Sequence, residues 1–218
     1  AGIVIGVLNT TGIGFGLSLA MVDLGSGNIL LLLLISAVIC IILGMGMPTV
    51  AVYLMLATLV APALIEVGID KMSAHLFILY FGMMSMITPP VAIAAFAAAS
   101  LTGADAMKTG FAAMRFGWFA YLVPFLFVAV PELLMVGKAI DIMLVTSKSI
   151  LGIWFVSVAM MGYVIGPISI VVRALFIIAG AGMFMPDRFL DIGIPLAAIG
   201  SVLGVILMSL EYTGNRRS

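Results

Sequence analysis

The chain has 218 residues, 65% of them hydrophobic and 8% charged, with a mean hydropathy of +1.39 and a formal net charge of zero. Soluble domains carry about 25% charged residues, so the composition excludes a soluble globule and indicates a polytopic protein whose main partner is the lipid bilayer. Zero net charge leaves no basic footprint for nucleic acid, and the single cysteine, Cys40, excludes a disulfide within the chain.

Charged residues punctuate the sequence and mark the ends of the predicted spans. A helix needs about 20 apolar residues to cross about 30 Å of hydrocarbon. Residues 1–22 are uncharged and fit one span. No basic region or cleavage site precedes them, so they do not read as a signal peptide. The chain is expected to begin inside a larger membrane protein. Residues 24–65 are uncharged throughout, enough for about 63 Å of helix. Their midpoint is "LGMGMPT", residues 43–49, where Gly44, Gly46 and Pro48 gather. The apolar arm before it, Ile29–Leu43, reaches only about 22 Å. Either two spans turn at the far surface, or a re-entrant hairpin over about 28–67 turns inside the membrane. The uncharged, methionine-flanked tip favours the hairpin, because such backbone at depth must be buried in protein or line a wet cavity.

Residues 72–104 are again uncharged and too long for one untilted crossing. Near their centre stands "MMSMITPPVAIAA", residues 83–95. Pro89 and Pro90 lack amide hydrogens and clash with the turn before them, and the residue before each proline is pushed towards extended backbone. This predicts a broken helix over about 73–103, with halves Ser73–Met86 and Val91–Ser100. Phe111–Leu134 is predicted as one span, with Arg115 near enough to an end to snorkel. Residues 149–172 and 192–210 are predicted as two more, with an interfacial turn at Pro186–Arg188.

Two interrupted apolar segments in succession are the sequence pointer to a transporter's substrate and ion site. Unwound backbone frees carbonyl oxygens that a small hard cation takes as ligands, while half-helix N-termini offer amides to an anion. Thr49, Thr88 and Ser85 place hydroxyls beside the breaks, and no carboxylate lies within either. Neutral oxygens of that kind suit sodium better than a transition metal, which prefers histidine or thiolate.

Other features carry less chemistry. Gly44-Met45-Gly46 lacks the strand and helix context of a dinucleotide site, so no cofactor is expected. His75, the only histidine, reads as an interfacial residue near a helix start beside Asp70 and Lys71. The seventeen methionines lack regular spacing and read as gap fillers. Arg173 sits in the apolar stretch 168–185, where an ionisable residue is by default a functional hypothesis. Its distance in sequence from both breaks favours a structural role. No nucleophile–base or metal constellation for an enzyme is present.

"GMGMPTVAVYLMLATLVAPALIEVGI" (44–69) followed by "HLFILYFGMMSMITPPVAIAAFAAA" (75–99) resembles the large membrane subunit of TRAP (tripartite ATP-independent periplasmic) transporters. The likeness is greatest to the fused-permease branch, in which small and large membrane subunits form one chain. The resemblance covers residues 1–130, and more weakly the extra C-terminal helices with "GYVIGP" and Arg173. It implies an all-α polytopic fold in which residues 1–135 form the second inverted repeat of an elevator-type transporter. Residues 136–218 would then be extra transmembrane helices. It also implies secondary, sodium-driven uptake of a small organic acid, delivered by a periplasmic substrate-binding protein to a bacterial or archaeal inner membrane. The partners implied are that binding protein and the N-terminal half of the same permease with its small-subunit region. Sodium would draw on Gly44, Gly46, Thr49, Ser85, Thr88 and Pro90, and substrate on Thr49 and Thr88. The family tends to carry glycine where Ser85 stands, and the fused branch aspartate where Met86 stands. Without that carboxylate, proton coupling at this position lacks its titrating group. The alternative function is a non-transporting membrane scaffold whose breaks serve packing alone.

Overall fold

The structure is a computed structural model that describes residues 2–25, 27–164 and 166–184. The described residues are helical apart from short connections and fall into two compact units, one up to Val128 and one from Ala129. The predicted span 192–210 and the turn at Pro186–Arg188 lie outside the described residues.

In the first unit the predicted span 1–22 is two helices, α1 (Gly2–Thr11) and α2 (Ile13–Gly25). Gly12 separates them with φ +70°, a left-handed conformation that only glycine adopts at no steric cost. Helix α3 (Ile29–Gly44) starts where the Asn28 side chain accepts from the Leu31 amide at 3.2 Å, an N-cap that satisfies one free donor of the first turn. Residues Met45–Pro48 form a tight connection, with Gly46 at φ +79°, into α4 (Thr49–Leu59) and the short α5 (Ala61–Glu66). Pro62 falls at the start of α5, where a missing amide costs nothing.

Asp70 caps α6 (Lys71–Met84), accepting from the amides of Met72 at 2.9 Å and Ser73 at 3.1 Å. A run of turns over 85–92, which contains the two prolines, then separates α6 from α7 (Ile93–Thr102). The expected single span 111–134 is different. Asp105 caps an amphipathic helix α8 (Ala106–Phe116), and α9 (Trp118–Ala129) leaves it with a 42° bend. Thr109 and the Lys108 and Arg115 charges give α8 a polar side that a uniformly apolar span lacks.

Helix α6 is the centre of this unit, packing on α3, α4 and α5. Its Ala74, Phe77, Ile78 and Phe81 are buried with Ala37 and Cys40 of α3 and Val52, Met55 and Leu56 of α4. Phe125 of α9 meets Phe77 and Phe81 edge-on, with centroids 5.4 and 5.5 Å away. Such edge contacts place a positive ring rim on a negative face and add about 0.5–1.5 kcal/mol each to simple burial. The Ser73 hydroxyl donates to the Phe127 carbonyl at 3.1 Å and ties α9 to the start of α6.

The second unit is a pair of packed helices, α10 (Ala139–Met161) and α11 (Ile170–Phe184), preceded by a 3-10 turn at Pro131–Leu134. The expected span 149–172 is thus misplaced: α10 begins ten residues earlier and ends at Gly162, whose φ is +72°. Gly152 and Gly180 let the two backbones touch, since a Cβ on Gly180 would lie 2.8 Å from the Gly152 carbonyl oxygen. Membrane helices pack through small residues for this reason. Among the described residues, α10 alone is long and apolar enough to cross a bilayer by itself, and the bent pair α8–α9 is so only as a unit.

Candidate functional site

The two sequence breaks meet. Gly44, the last residue of α3, is buried against the end of α6. A Cβ built on it would lie 2.7 Å from the Gly82 carbonyl oxygen and 2.9 Å from Ser85 Oγ. Only a residue without a side chain allows this approach. Gly82 in turn faces α4, where a Cβ would sit 2.7 Å from a Val52 methyl and 2.9 Å from one of Leu56. The end of α3, where the glycine-rich connection begins, therefore meets the end of α6, where the double-proline break begins.

Other elements close in on the break. Gly110 of α8 faces Pro89, Ala92 and Phe96, with Pro89 Cγ 2.9 Å from the position of its absent Cβ. Tyr121 of α9 reaches the Thr88 hydroxyl at 2.7 Å. Ser85 is buried, Thr88 and Pro89 are half-buried, and Pro90 is exposed.

The break finds partners for several carbonyls that the end of α6 leaves open, and for that of Met86, which Pro90 releases. Ser85 Oγ donates to the Gly82 carbonyl at 2.6 Å and Thr88 Oγ1 to that of Met84 at 2.5 Å. The amides of Met86 and Ile87 bond the carbonyls of Met83 and Met84 at 3.0 and 3.1 Å. The Ala94 amide reaches back across the break to the Met86 carbonyl at 3.0 Å, holding the start of α7 to the end of α6. Sequence reasoning expected free oxygens here; local turns and hydroxyls find partners for several because an unpaired buried carbonyl costs about 1–3 kcal/mol.

Of the sequence-selected residues, Gly44 and Ser85 are in contact, and Thr88 lies one turn beyond. Thr49 is the first residue of α4, half-buried, and among the described residues its hydroxyl has no hydrogen-bond partner. Gly46 is exposed with open space at its Cα. His75 lies towards the other end of α6, bonded through Nδ1 to the Tyr53 hydroxyl at 3.1 Å. Among the described residues no cluster of three or more histidines, cysteines or carboxylates is placed to hold a metal. Gly82, Gly110 and Tyr121 were missed from sequence. The first two carry a signal only when their facing residues are known, and Tyr121 is 33 positions from the threonine it meets.

Arg173 belongs to the second unit and acts there as a cap. Its Nε donates to the Ala159 carbonyl at 2.8 Å and an Nη to that of Met160 at 3.3 Å, at the C-terminal end of α10. The last carbonyls of a helix have no partner in the helix and carry its negative dipole end, which a guanidinium complements.

Residues 1–142 match the family described as "Tripartite ATP-independent periplasmic transporter, DctM component", a family of transporters and not of enzymes. Neither the curated proteins nor the solved structures give a match. The matched region is more than half of the chain and contains the tip, the double-proline break and every helix packed on them. The chain, helical over its described residues, is therefore a membrane protein of the DctM family, the membrane permease component of tripartite ATP-independent periplasmic transporters.

Proposed function

We propose that this permease couples inward sodium movement to uptake of a small organic acid, received from a periplasmic substrate-binding protein at the inner membrane. In this reading α3–α4 is a re-entrant hairpin and α6–α7 its partner broken helix, and the two travel together in an elevator-like movement. Sodium is held by backbone and hydroxyl oxygens of Gly44, Gly46 and Thr49 at the tip and Ser85, Thr88 and Pro90 at the break. The Thr49 and Thr88 hydroxyls also serve the substrate. The observation that supports the reading is the contact of Gly44 with Gly82 and Ser85, which brings the helix end before the one non-helical stretch against the helix end before the other. Non-helical backbone inside a transporter serves ions and substrates because its carbonyl oxygens, even with one lone pair engaged, keep a second for a cation. The amides of the first turn of α4 have no helical acceptor and offer a carboxylate the donors and positive dipole end that suit it.

Met86 adjoins the break in place of an acid, so a proton has no carboxylate to ride on there. The test is uptake by the complete transporter in liposomes with its binding protein and an imposed sodium gradient. Uptake is expected to follow external sodium, and Thr88→Val is expected to weaken that dependence by about 1–3 kcal/mol in ion binding, the cost of leaving a buried polar partner unsatisfied. Equal uptake with choline in place of sodium overturns sodium coupling.

A further inference from the structure

Thr88 carries one hydroxyl proton and two lone pairs. The proton is committed to the Met84 carbonyl at 2.5 Å. The 2.7 Å contact between Thr88 Oγ1 and the Tyr121 hydroxyl is therefore a bond in which Tyr121 donates. The result is a directed chain, Tyr121 to Thr88 to Met84, that runs from α9 through the break to the last residue of α6.

We propose that Tyr121 is a positioning residue that latches the Thr88 hydroxyl in its ion-free arrangement and competes with the coupling cation for that oxygen. The inference rests on the sodium reading given above. By donating to Met84, Thr88 Oγ1 becomes a better acceptor, and the phenol proton of Tyr121 takes up that gain. A cation approaching the same oxygen meets a second positive partner already on it. The two repel, more strongly than in bulk water because Thr88 and Tyr121 are both partly buried. Ion binding at Thr88 then weakens or breaks the tie to Tyr121. Phe125 and Phe127 keep the following turns of α9 packed on Phe77, Tyr80 and Phe81, so the change is confined to the end of α9 at the break. The latch thereby links cation occupancy to the contact between α9 and the broken helix, a contact that must change if the broken helix moves relative to α9.

The test is sodium titration of the full chain in nanodiscs, read by thermal stabilisation and by the fluorescence of Trp118, three residues from Tyr121. Tyr121→Phe keeps the ring and removes the donor. It is expected to tighten sodium binding about threefold to tenfold, the equivalent of one net neutral hydrogen bond. Placed in a Thr88→Val background the same substitution is expected to change nothing, whereas in Thr88→Ser, which retains the hydroxyl, the tightening returns. Unchanged or weaker sodium binding in Tyr121→Phe overturns the latch while leaving the sodium site intact, as does a Tyr121→Phe effect that persists in Thr88→Val. A wild-type chain that shows no response to sodium overturns the sodium reading and the latch together. Should Tyr121→Phe fold poorly, Tyr121→Met, which also removes the donor, takes its place in the same comparison with and without Thr88→Val.

Discussion

Gly44 shows how one missing side chain holds the site together. As the last residue of α3 it gains nothing from being glycine in helix terms; alanine is better there by about 1 kcal/mol. Yet a methyl group would lie 2.7 Å from the backbone oxygen of Gly82 and 2.9 Å from Ser85 Oγ, and a backbone oxygen does not step aside cheaply. Over-packing of this kind costs about 1–3 kcal/mol, so the clash outweighs the propensity gain. Gly44→Ala is expected to lower the melting temperature of the full chain in detergent and to weaken its stabilisation by sodium. Gly46→Ala, in open space, meets only backbone strain from φ +79°, about 1–2 kcal/mol. A Gly44→Ala protein that melts like the wild type would show that the tip and the break are not held in contact.

At the scale of elements, helix ends decide more than helix interiors. Asn28, Asp70 and Asp105 each place a side-chain oxygen on free amides at the start of α3, α6 and α8. Arg173 does the converse at the end of α10, where its guanidinium bonds two carbonyls. Hydrogen bonds to charged groups contribute about 1.5–3 kcal/mol, and the helix dipole adds to that here. Arg173→Ala is accordingly expected to reduce the amount of folded protein, measured by fluorescence-detected gel filtration, with uptake per folded molecule near normal. A normal yield together with a raised substrate KM would instead assign Arg173 to substrate binding.

Across the described residues, many large apolar side chains are exposed. Helix α3 turns Leu34, Val38 and Ile42 outward at 48, 55 and 57% exposure, which in water would be an aggregation surface and in lipid is matched to its solvent. With 16 and 11 residues, α3 and α4 reach about 24 and 16 Å, both short of the hydrocarbon thickness. If the connection Met45–Pro48 turns within the membrane, single cysteines at Met45 and Met47 are expected to react with a polar thiol reagent from one side only. Cys40 is fully buried and stays silent in such a background. Labelling at Met45 and Met47 that matches cysteines in the loop Glu66–Lys71 would favour two full crossings.

Composition and punctuation determined a good part of this protein without coordinates. Helical class and membrane residence follow from the scarcity of charge, because lipid leaves the backbone few ways to satisfy itself. The turns at Gly44–Thr49 and Thr88–Pro90 follow from residues whose backbone chemistry is local: proline removes a donor and glycine admits left-handed angles. Charge spacing misjudged the helices at 1–22, 111–134 and 149–172, since the breaks at Gly12, Gly117 and Gly162 fall inside uncharged runs and the α10 helix carries Asp141 and Lys148 within it. What tertiary structure alone decided is which neighbours meet. The contact of Gly44 with Ser85, of Gly110 with Pro89 and of Tyr121 with Thr88 joins positions far apart in sequence. No local propensity encodes such pairs, because they arise only when α3, α8 and α9 bury their apolar sides together around the broken helix.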